Sequence, residues 1–211
     1  KMTPYIAEWK KLGLQFDGIC SGFLGSKEQI RIVQQFFQDF KTEENCIIVD
    51  PVMGDYGKTY STYTPQMCEE MKKLVGYADI LTPNVTEACI LTDTPYREKF
   101  RMQEYARMAE QLSEKGPKKT GIVQGDFIAN YCYERGEEPH VLRSHKVGTQ
   151  RSGTGDIFTA IIAADAVNGV PFHESVKKAS RFIKKCIQRS LELEIPVTDG
   201  VCFEEVLGTL R

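Results

Sequence analysis

The run Arg151-Ser152-Gly153-Thr154-Gly155-Asp156 stands directly before the apolar run Ile157-Phe158-Thr159-Ala160-Ile161-Ile162-Ala163-Ala164, which predicts a buried helix. The two glycines leave backbone N–H groups uncovered at the start of that helix, where positive charge gathers, so the turn predicts a seat for an anion. Asp156 lies in the first helical turn, where a carboxylate can take a proton from a hydroxyl that attacks a phosphoryl group. A tight turn with Asp156 as a helix cap is an equally compatible interpretation of this motif alone.

Composition and charge narrow the class of protein. The 211 residues are 41% hydrophobic and include 17 glycines, as expected for a globular chain with a sizeable core. The net charge of −2, with acidic and basic residues interspersed, argues against nucleic acid or an anionic membrane as partner and favours a small-molecule substrate. Seven scattered cysteines without a CxxC pair indicate reduced thiols and predict a cytoplasmic location.

Hydrophobic patterning alternates between short strands and longer helices. Strand, loop and helix recur at least three times, which is typical of a three-layer α/β fold with a mostly parallel central sheet and helices on both faces. Two extended runs, 127–133 and 139–147, predict an antiparallel hairpin at the sheet edge. The other predicted strands lie at 14–20, 46–49, 79–81 and 119–123, and the predicted helices at 3–12, 26–40, 64–75, 85–91, 100–115, 154–168, 172–190 and 203–207.

Polar loops follow three of the predicted strands directly. Gly22 follows the first strand, Asp50-Pro51-Val52-Met53-Gly54-Asp55 the second, and Asn84-Val85-Thr86-Glu87 the third. Ligands of such sheets bind outside the carboxyl ends of the strands. We therefore expect these loops to meet the turn at 151–156 along one edge of the sheet.

Three carboxylates in these loops form a candidate metal site. Asp50, Asp55 and Glu87 offer oxygen ligands, which Mg²⁺ prefers, and a phosphoryl donor needs such an ion to neutralise developing charge. Asp55 as a turn former and Glu87 as an ordinary first-turn carboxylate are equally compatible alternatives when each residue is taken alone.

The four motifs together resemble those of the ribokinase-like superfamily and, within it, the pyridoxal (vitamin B6) kinases. The Gly-Thr-Gly-Asp motif at 153–156 is similar to the superfamily's anion hole and catalytic base, and 84–87 to its NxxE motif. The segments 50–55 and Thr82-Pro83-Asn84 resemble the forms that these motifs take in vitamin kinases. The resemblance implies a ribokinase-like fold in a single kinase domain, 1–211, that lacks the family's N-terminal strands.

The resemblance also implies a role for each matching residue. Asp156 would be the catalytic base and would contact the substrate. The implied anion hole is Gly153, Thr154 and Gly155; the implied ATP and phosphate contacts are Asp50, Asn84, Thr86 and Glu87; and the implied metal ligands are Asp50, Asp55 and Glu87.

The family analogy places Gly22 and Phe23 beside the pyridine ring of the substrate. Some relatives carry Tyr at the position of Phe23. The resemblance therefore implies that Phe23 can still stack on the pyridine ring but cannot make the hydroxyl contact of a tyrosine. Phe23 as a core residue is an equally compatible alternative. Lys58 and Arg151 are either phosphate contacts or solvated surface charges, and the second interpretation is favoured.

The activity that the resemblance implies is ATP-dependent phosphorylation of the 5′-hydroxymethyl group of pyridoxal, pyridoxine or pyridoxamine, with Mg²⁺ and as a homodimer. A K⁺ requirement is left open. The nearest alternative is a hydroxymethylpyrimidine kinase of thiamine synthesis, a branch that commonly carries Cys where Asp156 stands. A non-catalytic nucleotide-binding relative is a third possibility, against which the joint presence of Asp156, Asn84 and Glu87 speaks.

Overall fold

A six-stranded sheet forms the middle layer of the computed structural model, which describes residues 2–125, 129–149 and 151–210. Its strands are β1 (Gly18–Ser21), β2 (Cys46–Val49), β5 (Ile80–Leu81), β6 (Lys119–Gln124), β7 (Ala129–Glu134) and β8 (His140–Arg143). They lie side by side in that order, and β1, β2, β5 and β6 are parallel. A separate two-stranded hairpin consists of β3 (Gly54–Asp55) and β4 (Lys58–Thr59).

Helices cover both faces of the sheet. Because successive strand residues face opposite sides, Ile47 and Val49 of β2 join one apolar cluster while Ile48 joins the other. The first cluster contains residues of α2 (Lys27–Phe40), α3 (Pro65–Val75), α4 (Val85–Leu91) and α5 (Met102–Lys115), and the second those of α6 (Thr154–Val167) and α7 (Phe172–Glu192). The three-layer α/β architecture expected from the sequence, with a mostly parallel central sheet, is confirmed.

The ends of the chain add smaller elements. The helix α1 (Met2–Lys11) precedes β1, and two 3₁₀ helices, Val197–Asp199 and Glu204–Thr209, follow α7. In the described part of the chain, no helix combines the length and apolar character needed to cross a membrane.

The first strand is shorter than its sequence predicts. The prediction begins at residue 14, but β1 begins at Gly18. The reason is Phe16, whose ring packs on Trp9 and Phe40 at centroid distances of 5.8 Å and 5.3 Å. Phe16 therefore joins an aromatic cluster with α1 and α2, and the strand register with β2 begins at Gly18.

The predicted edge hairpin is confirmed as β7 and β8, which pair antiparallel at the end of the sheet. Its second arm is shorter than the predicted 139–147, because β8 ends at Arg143. Residues 127 and 128 of the predicted first arm lie outside the described residues. The strand β6 also pairs antiparallel with β7, so the parallel part of the sheet ends at β6.

Candidate active site

The helix α6 begins at the Gly-Thr-Gly-Asp turn. Gly153 caps the helix with φ of +86°, a conformation that glycine adopts at little cost, and Ile157 N donates the first helical bond to its carbonyl oxygen at 3.1 Å. The N–H groups of Thr154, Gly155 and Asp156 precede that bond and lack intrahelical acceptors. These N–H groups lie where the sequence predicts an anion seat.

Asp156 turns its carboxylate toward the end of β1. A methyl group added at Gly22 would lie 3.6 Å from Asp156 Oδ1, and one added at Gly155 would lie 3.6 Å from Asp50 Oδ2. Asp156 is exposed and has no hydrogen bond or ion pair to any other residue described here. The structure therefore brings the α6 turn, the β1 loop and the β2 loop together, with an available carboxylate between them.

Asp50 is a buried carboxylate directly after β2. Burial raises its pKa to about 7, and the nearby charge of Asp156 adds to that rise, while a hydrogen bond from Thr159 opposes it. Thr159 Oγ1 donates this bond to Asp50 Oδ2 at 3.2 Å. The shift means that the ionised form lacks full compensation within the described protein, as expected for a group that meets a cation on ligand binding.

Two threonines beside Asp50, Thr82 and Thr159, have a supporting role that sequence reasoning missed, although Thr82 belongs to the motif at 82–84. Thr82 Oγ1 lies 3.1 Å from Thr159 Oγ1, so the hydroxyls link the end of β5 to the α6 helix that supports Asp50. Both side chains are buried. The available signal was the position of Thr159, three residues after Asp156 and four after Gly155, on the same helical face as the turn.

Glu87 joins the loops after β2 and β5. Its Oε1 accepts a hydrogen bond from Met53 N at 3.1 Å, and its Oε2 accepts one from Asn84 N at 2.8 Å. Asn84 Oδ1 accepts in turn from Glu87 N at 3.0 Å, which completes a capping box at the start of α4. Burial, and next the charge of Asp50, raise the pKa of Glu87 well above its ordinary value. Glu87 thus acts as a carboxylate of the first helical turn, the alternative given by the sequence, and it also lies near enough to Asp50 for the two charges to interact.

The same helix start holds the β3–β4 hairpin. Asn84 Nδ2 donates to the carbonyl oxygen of Gly54 at 2.8 Å, and Thr86 Oγ1 accepts from Gly57 N at 2.9 Å. Asp55, on this hairpin, accepts from Tyr56 N at 2.8 Å, as the turn-former alternative predicts. In the described structure, the side chains of Asn84 and Thr86 hold the hairpin that carries Asp55, and these hydrogen bonds occupy the groups that the resemblance assigns to phosphate contacts.

The carboxylates of this site fit a magnesium ion whose ligands come partly from the protein and partly from a nucleotide. Asp50, Asp55 and Glu87 provide oxygen donors only, and because burial raises the pKa values of Asp50 and Glu87, a nearby cation would favour their ionised forms. Within the described ranges, no three His, Cys, Asp or Glu side chains are grouped closely enough to hold a metal by themselves. Phosphate oxygens and water would have to complete the coordination, which is the usual arrangement for Mg²⁺ at phosphate sites.

The end of β1 presents two further side chains. Phe23 is 53% exposed, so the alternative of a core residue is wrong and its ring is available for stacking. The Cys20 thiol is open to solvent, yet dehydration by the surrounding protein, and then the charges of Asp50 and Asp156, raise its pKa to about 11. Sequence reasoning missed Cys20, although its position two residues before Gly22 places it on the strand that ends at the site.

Arg151 is not the solvated charge that the sequence favours. It is buried, and its guanidinium donates hydrogen bonds to three backbone carbonyl oxygens of the C-terminal segment. Chain more than 40 residues further along the sequence covers the side chain. Lys58 is exposed on β4, opposite Asp55.

A cavity of about 790 Å³ lies at the opposite end of the strands. It is lined by the first residues of β2, β5 and β6, Cys46, Ile80 and Lys119, and none of the predicted site residues contributes to it. In a parallel sheet the ligand site lies at the carboxyl ends. We therefore place the candidate active site around Asp156, at the carboxyl ends of β1 and β2, and not in this cavity.

Sequence comparisons match this geometry to a family. The sequence model of the phosphomethylpyrimidine kinases matches residues 11–198. The chloroplastic thiamine biosynthetic bifunctional enzyme of Arabidopsis thaliana is 31% identical over 189 residues, which cover 86% of this chain and 35% of the plant enzyme. A pyridoxine/pyridoxal/pyridoxamine kinase of Bordetella avium is 29% identical over 196 residues, covering 86% of this chain and 64% of that kinase. The chain thus spans about a third to two thirds of the length of these relatives.

Structural comparison agrees with the sequence. A Bacteroides thetaiotaomicron protein assigned to the phosphomethylpyrimidine kinases is 35% identical and superimposes with a TM-score of 0.95, covering 99% of this chain and 74% of that one. A second crystal form of it, solved with pyridoxal, gives a TM-score of 0.91. The pyridoxal kinase of Lactobacillus plantarum shares the fold, with a TM-score of 0.88 at 21% identity. The chain belongs to the phosphomethylpyrimidine kinase family, within the ribokinase-like fold that includes the pyridoxal kinases.

Proposed function

We propose that this kinase chain phosphorylates the 5′-hydroxymethyl group of pyridoxal, pyridoxine or pyridoxamine with ATP. The observation that carries the proposal is the Asp156 carboxylate, which lies beside Gly22 at the start of α6 and has no hydrogen-bond or ion-pair partner among the described residues. A hydroxyl held between β1 and the start of α6 would face both the base and the anion seat. The Bacteroides thetaiotaomicron protein solved with pyridoxal supports this class of substrate.

The residues divide the chemistry of such a transfer between them. Asp156 would accept the proton of the substrate hydroxyl as its oxygen bonds to the γ-phosphorus of ATP, and ADP would leave with the electrons of the broken P–O bond. The N–H groups of 153–155 would donate to the transferring phosphoryl oxygens. Asp50, Asp55 and Glu87 would hold Mg²⁺, which would supply positive charge to the donor phosphates. Phe23 would stack on the pyridine ring.

A second candidate is a hydroxymethylpyrimidine kinase. The match to the phosphomethylpyrimidine kinase family and the likeness to the thiamine enzyme of Arabidopsis thaliana favour it. Both reactions phosphorylate a hydroxymethyl group on a nitrogen heterocycle, so they need the same base and anion seat. Aspartate at position 156, where the pyrimidine branch commonly carries Cys, favours the vitamin B6 substrates.

The experiment that separates the candidates is a substrate panel. ADP release from Mg·ATP would be measured with pyridoxal, pyridoxine, pyridoxamine, hydroxymethylpyrimidine and ribose, each offered alone to the full natural protein. We expect the highest kcat/KM with a B6 vitamer. A preference for hydroxymethylpyrimidine would transfer the assignment to thiamine synthesis, and ADP release with none of the five would refute the kinase proposal.

The setting of the enzyme stays a prediction from the resemblance and the cysteine content. We propose a cytoplasmic homodimer in which residues 1–211 form one kinase domain. Size-exclusion chromatography with light scattering on the full natural protein tests the assembly, and a monomeric mass would contradict it.

A further inference from the structure

A buried arginine ties the C-terminal chain to the anion-binding turn. Arg151 is 4% exposed. Its Nη1 donates to the carbonyl oxygens of Pro196 at 3.1 Å and Gly200 at 3.0 Å, and its Nη2 donates to that of Ile195 at 2.8 Å. The rigid planar fork of a guanidinium can hold three acceptors in fixed directions, which the single ammonium of lysine cannot. We call residues 195–201 the return segment.

The return segment packs directly on the backbone of the turn. A methyl group added at Gly200, where φ is +83°, would lie 3.4 Å from the carbonyl oxygen of Ser152, and one added at Gly153 would lie 4.0 Å from Val201 Cγ1. On the other side of the turn, Thr154 Oγ1 donates to the carbonyl oxygen of Arg151 at 3.1 Å. The position of the phosphate-facing N–H groups therefore depends on where Arg151 holds the return segment.

The charge of Arg151 also has little to neutralise it. In the described ranges it forms no ion pair with a carboxylate, and its Nε lacks a hydrogen-bond partner. Carbonyl dipoles offset a guanidinium charge only in part. Some of its positive field is therefore left at the start of α6, where the helix dipole has the same sign.

We propose that Arg151 is a positioning residue for the phosphates of the nucleotide, acting through the return segment and the turn at 152–155 without contact with the reacting atoms. The inference rests on the proposed use of ATP but not on the identity of the vitamin. It assigns to Arg151 a role in nucleotide affinity that is separate from the proton transfer by Asp156.

A matched pair of variants tests the role. Arg135, which is exposed, also donates from its guanidinium to backbone carbonyl oxygens, those of Ser113, Gly116 and Pro117, and to Ser113 Oγ, at the opposite end of the sheet. Arg151→Lys and Arg135→Lys keep the charge and lose the fork, so both should lower the thermal midpoint. We expect Arg151→Lys to raise both the KM for Mg·ATP and the calorimetric Kd for Mg·ADP about tenfold, the scale of a slightly displaced binding group, with the KM for the alcohol unchanged.

The outcomes separate positioning from stability alone. Nucleotide affinity of Arg151→Lys within twofold of the wild type, or the same loss in Arg135→Lys, would overturn the inference. If Arg151→Lys does not fold, Gly200→Ala, which strains the return segment at a φ of +83° while keeping the guanidinium of Arg151, must weaken Mg·ADP binding or the inference fails. Wild-type binding of Mg·ADP without turnover of any vitamin would sink the proposed function alone, and absence of Mg·ADP binding would refute both proposals.

Discussion

Asp156 is the proposed general base, and the fold fixes its position at the start of α6. It stands in the first turn of α6, exposed and without a partner in the described structure, where the helix dipole favours a negative ligand. We expect Asp156→Asn to lower kcat about 10²-fold or more, the scale of a lost general base, while the Kd for Mg·ATP stays nearly unchanged. Steady-state kinetics combined with calorimetry measure the two quantities. Unchanged turnover would remove Asp156 from the mechanism.

Asp50 should make the stability of the metal-free protein depend on pH. Its pKa is about 7 in the folded protein against an ordinary value of 3.8, so between these values the folded state binds more protons than the unfolded state. Stability is therefore greatest below about pH 4, as far as this group is concerned, and is lost as pH rises through about 7. We expect Asp50→Asn to raise the thermal midpoint in EDTA more at pH 8 than at pH 5. An equal change at both pH values would show that Asp50 is not the source.

The residues of the site differ in how far the sequence predicts them. Asp50, Asn84 and Glu87 are predictable because each follows a strand within a short motif. Thr159 is not, because it lies inside an apolar helical run and its partner Asp50 is 109 residues distant. The burial of Arg151 is unpredictable for the same reason, since the carbonyls that cover it come from chain 44 to 49 residues later.

The short helix α4 connects the loop after β2 to the loop after β5 through hydrogen bonds at its first turn. Its cap Asn84 satisfies the helix start and also holds Gly54 O, while Thr64 caps α3 by accepting from Met67 N at 3.3 Å, away from the site. We expect Asn84→Ala and Thr64→Ala each to lower the free energy of unfolding by about 1 kcal/mol, measured in urea. Only Asn84→Ala should also impair turnover, because it releases the hairpin that carries Asp55. Equal activity of the two variants would contradict this role.

Elements were predictable where local chemistry alone determines them. The helix α4 begins and ends where its sequence predicts, at 85 and 91, because the Asn cap and the Glu three residues later act within one turn. The start of β1 was predicted four residues too early, because Phe16 has strand-like neighbours in sequence but packs on Trp9 and Phe40 in space. Tertiary packing decided this boundary.

At the scale of the whole molecule, the alternation of strands and helices was enough to predict the layers and the edge that carries the site. The place where the sheet turns from parallel to antiparallel follows from the short connection between β6 and β7, which leaves no room for a crossover helix. The cleft itself depends on which loops touch across it. Contacts of that range have no signature in a local pattern.

We expect the acidic site around Asp50, Glu87 and Asp156 to make the stability of the folded chain sensitive to chelators. Asp50, Glu87 and Asp156 form no ion pair with a basic side chain in the described ranges, so their mutual repulsion opposes the closed arrangement of the loops. A divalent cation that binds only the native state should raise the thermal midpoint by mass action, progressively with its concentration. We expect scanning calorimetry to show this rise with MgCl₂ and its reversal by EDTA, with a smaller rise in Asp50→Asn. A thermal midpoint that does not change with Mg²⁺ would contradict this prediction and would mean that the loops keep their arrangement without a cation.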